Sequence, residues 1–210
     1  MKTKQNTNYS AFLFLLYVSV MLIITFLQQE FVLLPELHNF DIVEEDLKVQ
    51  ILESYQTWRW LAFLSSPVLL LFRIFLVASC FFIGSFFSPE MSGREFNEWW
   101  SVTIKAQSIL LIYSVLLCAI NVFMGANQSM EVTKYTSLLF LGPDNMEHWL
   151  KIPLAAINVF EIAYWCVMSL CVGKLVGTSF GKSFKFVMSS YGVGYLFYIA
   201  LLMFLMLYLA

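Results

Sequence analysis

Five stretches of this chain are apolar over lengths that meet or approach the roughly 20 residues a helix needs to cross a bilayer's hydrocarbon layer. They cover about 11–27, 60–87, 102–124, 152–172 and 186–209. In lipid every backbone donor and acceptor must be satisfied within the segment, so the spans are read as helices. Strands of a transmembrane barrel would alternate in polarity over about ten residues. The run Leu201-Leu-Met-Phe-Leu-Met-Leu-Tyr-Leu209 shows no such alternation. The expected fold is therefore all-α, a polytopic transmembrane helical bundle of five spans forming one membrane domain over 1–210.

Composition agrees. Of 210 residues, 60% are hydrophobic and only 12% are charged, about half the charged share of an ordinary soluble domain. So few polar side chains cannot keep a globule's surface wet. The 12 Lys+Arg against 14 Asp+Glu give a net charge of −2. With no basic excess, a nucleic-acid partner is excluded, and so apolar a chain is not a disordered one.

Lys2 and Lys4 precede the first span, as in a secretory signal, but the run ends Thr25-Phe-Leu-Gln-Gln-Glu30 without a small-x-small cleavage site. It reads as an uncleaved signal anchor. Orientation follows the Lys/Arg distribution. With the N-terminus cytoplasmic, the inner side holds Lys2, Lys4, Arg94, Lys105, Lys174, Lys182 and Lys185, and the outer side Lys48, Arg59, Lys134 and Lys151. Five spans then put the C-terminus outside. The membrane is an inner or plasma membrane in a bacterium and an endomembrane in a eukaryote.

The outer segment 28–58 carries seven acids (Glu30, Glu36, Asp41, Glu44, Glu45, Asp46 and Glu53) and one lysine. Asp41-Ile-Val-Glu44 has the spacing of a capping box. Leu47, Ile51, Tyr55 and Trp58 then recur at helical spacing, as a stripe that lies on the membrane or packs on the other outer loop. The acids are either a docking face for a partner or cation, or the solvated face of a helix leading into the second span. Ser92-Gly-Arg-Glu95 and Asp144-Asn-Met-Glu147 are read as caps ahead of the third and fourth spans.

Two charges lie midway along the apolar spans, and charge in hydrocarbon is by default a functional signal. Arg73 lies 13 residues below Trp60, or about 20 Å, and Glu161 lies 9 residues below Ile152, or about 14 Å. Side-chain reach closes that offset, so an Arg73–Glu161 ion pair within the bundle is expected. It is read either as a structural clasp or as a pair that handles a proton or substrate. Otherwise Arg73 reaches a lipid phosphate, or Glu161 stands alone and protonated. Asn158, three residues before Glu161, is placed to satisfy a spare carboxylate oxygen, and Asn121 is a second interhelical hydrogen bonder. Pro67 is expected to kink the second span.

Gly177-Thr-Ser-Phe-Gly181-Lys-Ser183 resembles a phosphate-binding loop, but three residues separate its glycines where four are needed. Gly173, Gly177 and Gly181 instead permit close helix approach, and Lys174, Lys182 and Lys185 suit anionic lipid headgroups. Cys80, Cys118, Cys166 and Cys171 fall in or at the ends of spans without Cys-x-x-Cys spacing, so neither a disulfide nor zinc is expected. His38 and His148 lack ligand spacing. No metal, cofactor or catalytic residue is assigned.

The run Trp149-Leu-Lys-Ile-Pro-Leu-Ala-Ala-Ile-Asn158-Val-Phe-Glu161-Ile-Ala-Tyr-Trp165, followed by Gly173-Lys-Leu-Val-Gly177-Thr-Ser-Phe-Gly181-Lys-Ser-Phe-Lys185, resembles the Yip (Ypt-interacting protein) superfamily of five-span membrane proteins over about 95–205. The resemblance implies a non-enzymatic membrane organiser that binds partner proteins and shapes bilayers. The short N-terminal segment departs from trafficking members and argues against a small-GTPase partner. Together these features point to a multi-pass scaffold or accessory subunit of a larger membrane assembly. Its expected partners are membrane lipids and either another membrane protein or further copies of itself. The alternative is a transporter or channel component that uses Arg73 and Glu161.

Overall fold

A computed structural model describes residues 2–38, 45–143 and 148–209, and these are almost wholly helical. Helix α1 (Lys2–Gln28) passes through a π turn, Gln29–Leu33, into the short α2 (Leu34–His38). Helix α3 is Glu45–Phe86, α4 is Phe96–Met124 and α5 is Ala126–Thr136, the last followed by a 3-10 turn at Leu138–Leu141. Then come α6 (His148–Ala156), α7 (Val159–Val176), α8 (Phe180–Val187), a second π turn at Met188–Gly192, and α9 (Val193–Leu209).

Five helical passages are long and apolar enough to cross a membrane: Tyr9–Leu33, Val49–Phe86, Phe96–Met124, Val159–Val176 and Phe180–Leu205. The fold is thus the expected helical bundle with multi-pass character, but the boundaries differ. The second passage starts well before residue 60, because α3 runs unbroken from Glu45 and absorbs part of the acidic segment 28–58. Tyr55 of the expected stripe turns inward and donates to the Gln29 carbonyl at 3.2 Å, whereas Ile51 and Trp58 are exposed. Pro67 does not interrupt α3; beside it, Ser65 donates to the Ala62 carbonyl at 3.1 Å.

The third passage starts at Phe96, six residues earlier than expected, and its cap is Glu95, not Ser92. Glu95 accepts from the backbone of the N3 position, and Glu98 accepts from Glu95 N–H at 3.1 Å, closing a reciprocal box. Ser92 instead donates to the Pro89 carbonyl at 2.9 Å. The expected caps Asp41–Glu44 and Asp144–Glu147, and the side chains of His38 and His148, lie outside the described residues.

Helix α4 is central, packing on α1, α3 and α7. Its 29 residues give a length of about 43 Å, matching a bilayer with its headgroup layers. One end of the bundle gathers the start of α1, the 87–95 turn and the α7–α8 turn; there the Ser10 and Ser101 hydroxyls lie 2.8 Å apart. The main core occupies the half of the bundle nearest this end. Phe81 is its hub, with ring centroids 5.9 Å from both Trp99 and Phe186 and 6.4 Å from Tyr191. Close approach of α3 to the second π turn depends on Gly84, where an added Cβ would lie 2.7 Å from Ser190 Cβ. Small residues at such contacts let backbones approach in the absence of a hydrophobic drive between helices.

Candidate functional site

The fourth passage is where the fold departs most from expectation. A continuous helix over 152–172 is replaced by two pieces, α6 and α7, separated at Ile157–Asn158. Asn158 is extended (φ −123°, ψ 167°), and its Oδ1 accepts from the Glu161 backbone N–H at 2.9 Å. It therefore caps α7 and does not serve the Glu161 carboxylate, correcting the role expected for it. The backbone groups freed by the break are met from neighbouring segments. Leu138 N–H donates to the Ile157 carbonyl at 2.9 Å, Ser137 bridges Asn158, and the Tyr195 hydroxyl donates to the Ala156 carbonyl at 2.8 Å. Backbone groups freed at a helix break are costly to leave without partners, so this cover holds the break in place.

Glu161 becomes the third residue of α7, in the first turn, where the positive end of the helix dipole stabilises a carboxylate. Its side chain is only 4% exposed. Oε2 accepts from Arg73 Nη2 at 3.0 Å. Oε1 accepts from Trp165 Nε1 at 3.1 Å and from the Tyr191 hydroxyl at 2.8 Å. The carboxylate thus joins α3, α7 and the second π turn, and both its oxygens are engaged. Arg73 also lies over the Tyr164 ring, at 5.6 Å from the centroid. Two aromatic contacts extend the cluster: Tyr164 meets Tyr191 edge-on at 5.9 Å, and Trp165 meets Tyr195 edge-on at 5.8 Å.

The two charges meet at one level because both helices end in neighbouring turns. Arg73 is 13 residues from the end of α3 and Glu161 is 15 from the end of α7, or about 20 and 22 Å. Each figure is about half the length of α4.

Trp165, Tyr164, Tyr191 and Tyr195 are site residues that reasoning from sequence missed. Trp165 carries a readable signal, since it lies one turn beyond Glu161 on the same face. Asn158-Val-Phe-Glu161 also has capping spacing, although its apolar flanks read as mid-helix. Tyr191 carries none, because a π turn is what aims it.

The remaining expected residues do not join the cluster. Asn121 sits in α4 with its Oδ1 buried and without a hydrogen-bond partner. Lys174 and Lys185 are exposed near the end that holds the α7–α8 turn. Lys182, expected at headgroups, is 60% exposed and pairs with Glu90 at 2.6 Å. Gly177 ends α7 with φ 78°, and the N–H groups of Gly177 and Thr178 both donate to the Gly173 carbonyl. The four cysteines are free thiols. Among the described residues no group of three or more His, Cys, Asp or Glu is placed to hold a metal. No protein-family model, curated protein or solved structure matches the chain, so the Yip-like motifs stand on these residues alone.

Proposed function

We propose that this chain is a non-catalytic, multi-pass membrane scaffold or accessory subunit, oriented with its N-terminus cytoplasmic, that works within a larger membrane assembly. The observation that carries the reading is the closed state of Glu161, the acid that meets Arg73 inside the bundle. Both Glu161 oxygens are engaged, by Arg73, Trp165 and Tyr191, and its side chain is only 4% exposed, which leaves little access for a substrate. A clasp of this kind fixes how three helices pack. Lys174 and Lys185, exposed at one end, suit anionic headgroups of the cytoplasmic leaflet. The Yip-like motifs agree with an organiser of partner proteins. Purification in mild detergent with mass determination tests the reading. It predicts a particle heavier than the 24.3 kDa chain plus its detergent, containing a second polypeptide or further copies. A partnerless monomer contradicts it.

The break beside the charge pair favours a second reading, a transporter or channel component, because discontinuous helices often frame ion and substrate sites. Neutralising Glu161 separates the two readings. Loss of flux with an intact fold favours transport, whereas loss of the fold favours the clasp.

A further inference from the structure

The two partners of the Arg73–Glu161 contact differ in exposure. The Arg73 side chain is 40% exposed, against 4% for Glu161. A guanidinium carries five N–H donors. Glu161 offers it one oxygen, the other being held by Trp165 and Tyr191. On α3 the residues three and four away from Arg73 divide: Leu70 and Val77 are buried, whereas Leu69 and Leu76, with the adjacent Phe72, form an exposed stripe. This stripe faces away from the buried Leu70, Ile74 and Val77. Arg73 therefore lies on the edge of an unpartnered apolar face, about 20 Å from the end of its helix. Lipid chains there supply no acceptor, and the headgroups lie beyond the reach of one arginine side chain.

We propose that the Leu69–Phe72–Arg73–Leu76 face of α3 docks a transmembrane helix of a different protein, one that presents a neutral acceptor, a carboxamide or hydroxyl, to Arg73 at mid-span. The proposal rests on the subunit reading and names the partner's chemistry. Charge balance selects the acceptor. Arg73 and Glu161 already neutralise each other, so a second carboxylate would leave a net charge in hydrocarbon, whereas Asn, Gln, Ser or Thr satisfies the donors without one. A second copy packed about a two-fold axis through this face would bring two arginines together.

The test places a photo-crosslinking residue at Leu69 or Phe72 of the full chain in its native membrane and maps the captured segment by mass spectrometry. The expected adduct is an apolar spanning segment of another protein with Asn, Gln, Ser or Thr near its middle. The double variant Arg73→Met/Glu161→Gln keeps the core neutral and should lower adduct yield about tenfold, as expected for loss of an interhelical hydrogen bond. Arg73→Lys, which keeps charge and a donor, should lower it less and serves if the double variant misfolds. Adducts to lipid only, to a second copy, or to a segment without a neutral polar residue would overturn the proposal, as would yields indifferent to Arg73. If the chain co-purifies with a partner yet gives no adduct here, this docking face fails and the subunit reading stands. If it is a monomer, both fail.

Discussion

Tyr191 donates its hydroxyl to Glu161 at 2.8 Å across 30 residues of chain, and it does so from a π turn. One extra residue in that turn rotates the side chains that follow, and π turns inside α-helices often mark functional sites. Tyr191→Phe keeps the ring and removes the donor. The expected loss is about 1.5 kcal/mol, typical of a hydrogen bond to a charged group, read from unfolding in mixed micelles of mild detergent and SDS. No loss would mean that the hydroxyl contributes nothing to holding the carboxylate.

Asn158 governs where α7 begins. Asn158→Ala should cost about 1 kcal/mol by uncapping the helix, and Asn158→Ser should restore most of it. Hydrogen exchange at the Glu161 amide, the group that Asn158 receives, gives the local reading. Exchange there should speed up in the Ala variant and stay slow in the Ser variant.

Gly84 and Ser190 share one crowded contact. Gly84→Ala should destabilise the bundle by about 1–3 kcal/mol through overpacking. Ser190→Gly removes the atom it strikes, so the Gly84→Ala/Ser190→Gly pair should unfold later than Gly84→Ala alone. Additive losses would show that the helices do not meet there.

Gly177 and Gly181 look alike in the sequence and differ in the fold. Gly177 has φ 78°, while a Cβ at Gly181 meets nothing within 4 Å. Gly177→Ala should cost about 1 kcal/mol, whereas Gly181→Ala in α8 should gain about 0.5–1 kcal/mol. The signs of the two midpoint shifts decide it.

The contrast between these glycines shows what a sequence can convey here. Helix type and number follow from apolar run length, because backbone hydrogen bonding in lipid leaves few alternatives. Arg73 and Glu161 stand out for the same reason. Their common level is harder to read. Counting from Trp60 and Ile152 leaves about 6 Å between them, because α3 begins earlier and α7 later than hydropathy suggests. Counting from Phe86 and Val176 reduces the offset to about 2–3 Å. The break at Asn158 was hidden by apolar neighbours on both sides. The aim of Tyr191 was not legible, since a run apolar on nearly every face has no polar stripe whose change of phase would reveal one inserted residue. The Lys182–Glu90 pair was not legible either, because the two residues are far apart in the chain and meet only through the packing of the two turns.

The clasp itself is tested most directly by a double-mutant cycle on Arg73→Met and Glu161→Gln, with stability read by unfolding in mixed micelles. Each single change strands the other partner, and Arg73→Met leaves a carboxylate 4% exposed without its cation. The double variant should therefore be more stable than the two separate losses sum to, with a coupling of at least about 1 kcal/mol. Strictly additive losses would contradict an interaction between these side chains and the helix arrangement built around it.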